Sequence, residues 1–237
     1  MTSGQLNLGI KSKSKIIMQS YQRARQPEQK QERCQAILDA ALQLWLESSY
    51  TEFTMARLAE RIGLAKGTIY VYFATKEHLF LTLLEKMAIS WLEDLHRQLL
   101  PYSGKNDIKE VARLLCSSFT SREPFTRLLC LLESVLERGI DYKTALRFKQ
   151  KLLEGSILTG KVLEECLPDL QSGDGVKLLV QIRALLTGLR QMSDSAPVLQ
   201  QVIKDHTELE LYRVQFERDL EIGLLALIQG FVILRTN

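Results

Sequence analysis

The sequence predicts an all-α fold, and three features of its 237 residues support that class. Apolar residues recur at the three- and four-residue spacing of a helix along most of the chain. Hydrophobic residues make up 46% of the sequence and charged residues 25%, which is typical of globular proteins. The 13 glycines and 5 prolines are too few for a turn-rich all-β architecture or for a disordered chain.

Residues 1–30 carry most of the surplus positive charge and predict a flexible basic arm. Residues 1–33 hold seven Lys or Arg and two Glu, a charge of +5, whereas the rest of the chain carries −2. The segment is rich in Ser and Gln and contains Pro27, as mobile extensions commonly do. Its cations could follow DNA phosphates. The same composition also suits an arm that serves only solubility, and charge alone leaves both interpretations open.

Two amphipathic helices are predicted after the arm. The first covers residues 31–46, and the apolar side chains of its inner face are Ile37, Ala40, Ala41, Leu44 and Trp45. The second covers Met55 to Arg61 and begins after Thr54, whose hydroxyl suits an N-cap. Gly63 follows the second helix at the place where a left-handed residue commonly ends a helix. A tight turn is therefore expected there.

A third helix is predicted from Ala65 to Phe73 and a fourth from Thr75 to about Leu100. Ile69 lies one turn before Phe73, so both belong to the inner face of the third helix. The outward residues of that helix are Lys66, Gly67, Thr68, Val71 and Tyr72. Of its two tyrosines, Tyr72 is expected to be the more exposed. The fourth helix has an apolar face formed by Leu79, Phe80, Leu83, Leu84 and Met87.

The second and third helices, joined by a glycine turn, match a helix-turn-helix, in which the second helix of the motif enters the DNA major groove. Helix hairpins also serve as plain structure, but a core does not need the polar set on this outward face. Lys66 could donate to guanine, and Thr68 could bond a base or contact a thymine methyl. The hydroxyl of Tyr70 could reach a phosphate, although its ring equally suits a half-buried structural position. Lys76 opposes the dipole of the fourth helix, a placement that suits a phosphate contact.

The run from Thr54 to Phe80, TMARLAERIGLAKGTIYVYFATKEHLF, resembles the DNA-binding signature of the TetR family of bacterial transcriptional regulators over about residues 32–90. The sequence departs from the family at Ser49, where a Gly is usual, and at Phe53, where a Thr is common. The resemblance implies that one set of residues contacts DNA. That set is Thr54, Lys66, Gly67, Thr68, Tyr70, Val71, Tyr72 and Lys76.

The resemblance also organises the whole chain. It implies an N-terminal three-helix DNA-binding domain with a helix-turn-helix, which with the connecting fourth helix covers residues 31–98. A larger helical ligand-binding and dimerisation domain is expected over residues 99–237. The predicted helices of that domain are Ile108 to Phe119, Phe125 to Arg138, Tyr142 to Leu167, Val176 to Met192 and Leu209 to Leu234.

The last two predicted helices are strongly apolar on one side. In the family such a pair packs against its copy as a four-helix bundle, so residues 176–193 and 208–234 are expected to form a homodimer interface. A core within one subunit is the other interpretation. A two-fold dimer separates its recognition helices by about 34 to 36 Å, which predicts an inverted-repeat operator in double-stranded DNA.

The expected function is that of a sequence-specific repressor that a small-molecule effector releases from its operator by a population shift. Activation is also open, since the sign of regulation depends on where the operator lies. The pattern does not identify the effector, because residues such as Phe119, Phe125, Tyr142, Phe148 and Met192 suit an ordinary core as well as a pocket. The alternative is an all-α ligand-binding or protein-interaction module without DNA binding. The net charge of −2 over residues 34–98 keeps it open.

The sequence gives little support to enzymatic or membrane functions. It has no phosphate-binding glycine loop and no His-Glu-x-x-His motif, and its three histidines lie far apart, so we expect no catalytic residue, metal or cofactor. The four cysteines form no Cys-x-x-Cys pair and fit a reducing compartment. The apolar stretch from Ile222 to Leu234 is shorter than the roughly 20 residues that span a bilayer. A cytoplasmic location without membrane association is therefore expected.

Deleting residues 1–28 is expected to weaken DNA binding and to flatten its dependence on salt, because each lost phosphate contact reduces the logarithmic slope by about 0.9. Titration of a selected DNA sequence at two salt concentrations, with the full-length and shortened chains, checks this. Identical slopes would assign the arm to solubility alone.

Overall fold

The computed structural model describes residues 28–236, and within that range the regular secondary structure consists of α-helices and short 3₁₀ helices without a strand. This confirms the all-α prediction. Apart from residues 28–30, which begin the first helix, the predicted arm lies outside the described residues. No helix in the described range is long and apolar enough to cross a membrane.

Contacts divide the chain into two compact units between Ala74 and Thr75. The first unit holds α1 (residues 28–46), α2 (Met55–Arg61) and α3 (Lys66–Tyr72). By contacts the fourth helix therefore belongs to the second unit, whereas the functional grouping predicted from sequence attached it to residues 31–98. That grouping concerns DNA binding and remains a prediction.

The second unit is a bundle of seven α-helices over the described part of residues 75–237. They are α4 (Lys76–Leu99), α5 (Ile108–Thr120), α6 (Glu123–Leu129), α7 (Tyr142–Cys166), α8 (Asp174–Ser193), α9 (Pro197–Asp205) and α10 (Phe216–Thr236). Short 3₁₀ helices cover Leu100–Tyr102, Leu136–Gly139 and Thr207–Tyr212. Helix α4 packs against α7, α7 against α8, and α10 against both α5 and α8.

Short-range capping signals set the helix limits that the sequence predicted well. The hydroxyl oxygen of Thr54 accepts the amide of Arg57 at 3.2 Å and caps α2. The hydroxyl of Thr75 accepts the amide of His78 at 3.0 Å and caps α4. Both contacts satisfy amides that the helix itself leaves without a partner.

The prediction of one helix from Phe125 to Arg138 is wrong. Helix α6 ends at Leu129, and the chain continues through turns into the 3₁₀ helix Leu136–Gly139. The amide of Leu136 bonds the carbonyl of Leu131 at 3.0 Å, five residues back, so the helical hydrogen-bond ladder is lost there. Leu132 is buried all the same, so a four-residue apolar spacing persists where the helix does not. Pro124 lies inside the first turn of α6, where proline is tolerated.

The prediction of one helix from Leu209 to Leu234 is also wrong. The chain forms α9, which was not predicted, then a 3₁₀ helix, and α10 starts only at Phe216. The amide of Gln215 donates to the Asp219 carboxylate at 2.8 Å, a side-chain cap that fixes the start of α10. Helix α9 was missed because none of its residues is buried, so it contributes nothing to the core pattern.

Helices α7 and α8 approach so closely that neither has room for a side chain at the crossing. A Cβ atom added at Gly175 would lie 2.1 Å from the carbonyl oxygen of Gly160. Next to this crossing, a carboxylate oxygen of Glu164 on α7 accepts the amides of Gly173 and Gly175 at 2.8 and 2.9 Å. The carboxylate therefore accepts hydrogen bonds from free amides at the start of α8, and its negative charge interacts favourably with the dipole of that helix.

Gly175→Ala is expected to lower the free energy of unfolding by about 2 kcal/mol or more, because the new methyl group meets backbone rather than a movable side chain. The matched control is Gly67→Ala on α3, where nothing lies within 4 Å of an added Cβ. That substitution should raise stability by about 0.5 to 1 kcal/mol. Chemical denaturation of both variants checks the prediction, and an unchanged midpoint for Gly175→Ala would contradict it.

Candidate nucleic-acid interface

The turn between α2 and α3 is a complete glycine-ended helix cap. Gly63 has a φ of 64°, and its amide donates to the Glu60 carbonyl at 3.2 Å. The amide of Leu64 donates to the Ala59 carbonyl at 3.0 Å. These two bonds are those of a Schellman motif. They fix the direction in which α3 leaves the turn, as the sequence predicted.

Helix α3 has a fully buried inner face and an exposed outer face. Ile69 is 0% exposed and Phe73, which ends the helix, is 2% exposed. Val71 on the opposite side is 75% exposed, so its apolar side chain does not contribute to the core. Lys66 and Gly67 are also exposed, and an added Cβ at Gly67 would meet open space.

The two tyrosines of α3 are placed in the reverse order of the prediction. Tyr70 is 43% exposed, whereas Tyr72 is half-buried. Each residue advances about 100° around a helix, so Tyr72, three positions after Ile69, lies on the flank of the inner face. The expectation that Tyr72 is the more exposed is therefore wrong. The ammonium nitrogen of Lys66 lies 5.8 Å from the ring centroid of Tyr70, so the two side chains share the outer face.

Seven of the eight predicted DNA-contacting residues belong to the first unit, and the eighth, Lys76, belongs to the second. Thr54 is exposed and Thr68 is half-buried. Lys76 is half-buried in the first turn of α4. Burial lowers its pKa from the ordinary value, and the neighbouring Glu77 opposes that shift.

The two arginines of α2 have different hydrogen-bond partners. The guanidinium of Arg61 donates two hydrogen bonds of 2.6 Å to the Glu47 carboxylate. This fork raises the pKa of Arg61 and lowers that of Glu47, and it ties α2 to the residue that follows α1. The exposed Arg57 donates to the Glu52 carbonyl at 3.0 Å. Sequence reasoning did not single out Arg57, because no motif marks an exposed cation beside an N-cap.

A second candidate site is a cavity of about 240 Å³ within the second unit, lined from α4, α5, α6, α7 and α8. Of the aromatic and Met side chains considered for a pocket, Phe119, Phe125 and Phe148 line it. The other two, Tyr142 and Met192, are not part of the lining and are 79% and 58% exposed.

The surroundings of three cysteines in the second unit disfavour the reactive thiolate form. Burial raises the pKa of the Cys116 and Cys130 thiols to about 11, so few of them are thiolates at neutral pH. Burial likewise raises the pKa of the Cys166 thiol on α7 to about 11. These values favour packing roles over redox sensing.

Helices α8 and α10 pack against each other and also expose apolar side chains. The residues buried on these two helices include Ile182, Leu186, Leu220, Leu224 and Ile228, and α10 packs against α5 as well as α8. The exposed apolar side chains of the pair that do not line the cavity are Met192, Ile222, Ile233 and Leu234, which are 58%, 57%, 57% and 78% exposed. Apolar surface on paired helices is typical of an interface with another chain.

Family models match almost all of the described chain. Residues 37–83 match the model described as bacterial regulatory proteins, tetR family. Residues 85–233 match the model described as tetracyclin repressor-like, C-terminal domain. The first match contains the helix-turn-helix, and the second contains all of the cavity lining except Leu84, together with α8 and most of α10.

Characterised relatives and solved structures agree with these matches. The fatty acid metabolism regulator protein of Bacillus subtilis (strain 168) is 27% identical over 157 residues, which cover 62% of this chain and 73% of that protein. The HTH-type transcriptional regulator RutR of Escherichia coli O157:H7 is 27% identical over 134 residues, covering 54% and 63%.

Among solved structures, a candidate TetR family regulator from Streptomyces coelicolor A3(2) has a TM-score of 0.55 at 22% identity, covering 85% of this chain and 99% of that one. A TetR-family regulator from Mesorhizobium loti MAFF303099 has a TM-score of 0.52 at 17% identity, covering 86% and 96%. Both likenesses show a shared fold.

Gly63→Ala is expected to destabilise the protein by about 1 kcal/mol, because an L residue with a side chain is strained at positive φ. Gly63→Asn should cost less, since Asn tolerates the left-handed conformation better. Thermal melting of both variants beside the wild type tests the turn geometry. Equal melting temperatures for all three chains would contradict it.

Proposed function

Because the chain belongs to the TetR family of DNA-binding bacterial transcriptional regulators, we propose that it is a homodimeric repressor that leaves an inverted-repeat operator when a small-molecule effector binds. Family membership favours DNA binding over an interaction module without it. The observation that carries the proposal is the outer face of α3, which follows a rigid glycine turn and exposes a cation, a bare backbone and an apolar side chain together.

The exposed residues of α3 can each meet a different part of the major groove. The ammonium of Lys66 can donate to guanine O6 or N7, and the methyl groups of Val71 can contact a thymine methyl. Gly67 lets the helix backbone approach the bases closely. The hydroxyls of Tyr70 and Thr68 can donate to phosphate or base, and the half-buried Tyr72 can present its hydroxyl at the edge of the same face.

Contacts with the DNA phosphates would come from residues at the starts of α2 and α4. The Thr54 oxygen already accepts the Arg57 amide, so its hydroxyl proton remains available to donate to a phosphate. The exposed Arg57 lies beside it and would add a charge-assisted contact. Lys76 would contribute a further phosphate contact from the first turn of α4. A phosphate would raise its lowered pKa, because a nearby anion favours the charged form.

The dimer would form through residues 176–193 and 208–234, within which the outward apolar side chains of α8 and α10 are found. Pairing these helices with their copies would bury apolar surface that is now exposed, with a gain of about 25 cal/mol per Å². A two-fold axis through this bundle would give two α3 helices related by the same axis, which favours an inverted-repeat operator. In this proposal residues 31–98 form the DNA-binding domain and 99–237 the effector-binding and dimerisation domain.

The effector site would be the cavity of the second unit. An effector shifts the population of dimer states only if its affinity for the released state exceeds its affinity for the DNA-binding state. A cavity lined by five helices suits this, since a small change in the arrangement of the helices changes its shape.

Lys66→Ala and Val71→Ala are each expected to weaken operator binding about tenfold, since a good base contact discriminates by about 1 to 3 kcal/mol. Gly67→Ala should weaken binding while raising the melting temperature, which separates loss of contact from loss of fold. The operator would be obtained by selection from a random DNA pool and the affinities measured by titration. Lys161→Ala, an exposed lysine on α7, is the matched control and should bind as the wild type does. Unchanged affinity in all three α3 variants would contradict the assignment of α3.

A further inference from the structure

We propose that the cavity of the second unit takes a ligand with a slender apolar body and an anionic headgroup, and that the headgroup replaces Glu137 and Glu133 as the partner of Lys149 and Arg183. The inference rests on the proposed function only for the consequence of binding. The chemistry of the ligand follows from the residues that line the cavity.

The lining of the cavity is mainly apolar, and the one hydroxyl side chain among its described residues is that of Ser156. The ring centroids of Trp91 and Phe119 lie 4.6 Å apart, and Phe125 lies 5.7 Å from Trp91. The indole N–H of Trp91 is already used, because it donates to the hydroxyl oxygen of Ser118 at 3.0 Å. The Ser118 hydroxyl in turn donates to the Leu115 carbonyl at 2.8 Å. A polar ligand group placed against these three rings would therefore lose its hydration without gaining a hydrogen-bond partner.

The volume limits the shape of the apolar body. Sites for drug-sized ligands commonly measure about 300 to 1,000 Å³, and this cavity measures about 240 Å³. An unbranched chain or a single small ring is the kind of body that such a space holds. The remaining lining from α4, α6, α7 and α8 is mainly aliphatic, including Leu84, Leu129, Leu152 and Leu179.

The charged residues of the described lining are two cations and no carboxylate. Lys149 on α7 and Arg183 on α8 are its only charged members. Their side chains are 54% and 36% exposed, which places them at the solvent side of an otherwise apolar cavity. An anion at this side of the cavity would be attracted by both, whereas a cationic headgroup would be repelled by both.

Both cations are now held by carboxylates that lie outside the lining. The ammonium nitrogen of Lys149 is 2.5 Å from a carboxylate oxygen of Glu137, and the Arg183 guanidinium donates to Glu133. The Arg183–Glu133 pair is exposed on both sides and contributes only about 0 to 1 kcal/mol, whereas Glu137 is only 27% exposed, so a ligand anion competes with a better-shielded partner at Lys149. The cavity thus has two cations at its edge, each with a partner that a ligand anion would replace.

The two carboxylates share one segment, residues 130–141 between α6 and α7, and that segment also contacts the start of α4. The carbonyl of Gly139 accepts the hydroxyl of Thr75 at 3.3 Å. A Cβ added at Gly139 would lie 2.5 Å from Cγ of Glu77, so the contact is close. Displacing Glu133 and Glu137 would therefore remove two ion pairs of the segment that contacts the first turn of α4, where Lys76 is found.

The test is calorimetric titration of the full-length protein, without DNA, against three probes with the same ten-carbon chain below their micelle concentrations. Decanoate is expected to bind at least tenfold more tightly than decan-1-ol, and decylammonium more weakly than either. Decyl phosphate in a fourth arm distinguishes a carboxylate headgroup from a phosphate one. Equal affinities for decanoate and decan-1-ol would overturn the headgroup assignment, and no binding of any probe would overturn the apolar site.

Variants locate the headgroup. Lys149→Gln and Arg183→Gln are each expected to weaken decanoate binding about tenfold and to leave decan-1-ol binding unchanged. Lys161→Gln, also on α7, is the matched control. Glu137→Gln should tighten decanoate binding, because it removes the competing carboxylate, a result that a merely structural role of Glu137 would not give. Unchanged decanoate affinity in both cation variants would overturn the proposal.

A separate measurement keeps this inference distinct from the proposed function. The selected operator is titrated with protein in the presence and absence of decanoate. Binding of decanoate without release of the operator would contradict effector-driven release and leave the ligand chemistry standing. Release by decanoate that is lost in Lys149→Gln would support both.

Discussion

The packing of α4 against α7 is the contact on which the second unit depends. Helix α4 buries eleven of its residues, and one of them is Glu85, which is only 5% exposed. A buried carboxylate is costly unless it is paired, and α7 supplies the partners. Lys151 donates to it at 2.8 Å, and Arg147 lies 3.9 Å away. The two helices are therefore held at one register, since sliding either of them would leave the carboxylate without its cations.

That register also sets the chemistry of the cavity. Further along the same pair, the Thr159 hydroxyl donates to the Leu92 carbonyl at 3.2 Å, and Gly155 leaves space for the Leu92 side chain. With α4 and α7 fixed at both positions, the apolar residues of α4 and α7 that line the cavity face the same space as Phe119 and Phe125. Glu85 and Thr159 are thus engaged in holding the helix pair together. The lining offers a ligand a mainly apolar interior, the Ser156 hydroxyl and the cations at its edge.

The sequence predicts well those features that depend on neighbouring residues. Thr54, Gly63 and Thr75 act within four residues of themselves, so the limits of α2 and α3 and the start of α4 follow from local chemistry. The prediction of one helix from Phe125 to Arg138 is wrong for the opposite reason, because it depends on contacts with residues distant in sequence. Leu128, Leu132 and Leu136 keep a helical spacing because all three are buried by the rest of the unit, although hydrogen bonding between them departs from a helix.

The two candidate sites also differ in how far the sequence predicts them. The outward face of α3 is predictable from one helix, and only the order of Tyr70 and Tyr72 is not, because it depends on how far the inner face extends around the helix. The cavity brings together residues as distant in sequence as Leu84, Phe148 and Arg183, and no local pattern joins them.

The charge of the folded part adds a further constraint, since residues 34–98 carry −2 and Arg61 is held by Glu47. Non-specific attraction to DNA from this region would then be weak, so in the proposed function affinity would depend on the close fit of α3 and on the simultaneous engagement of two subunits. A dimer of this kind would leave its operator after a small change in geometry, because little charge attraction would hold a misaligned dimer on the DNA.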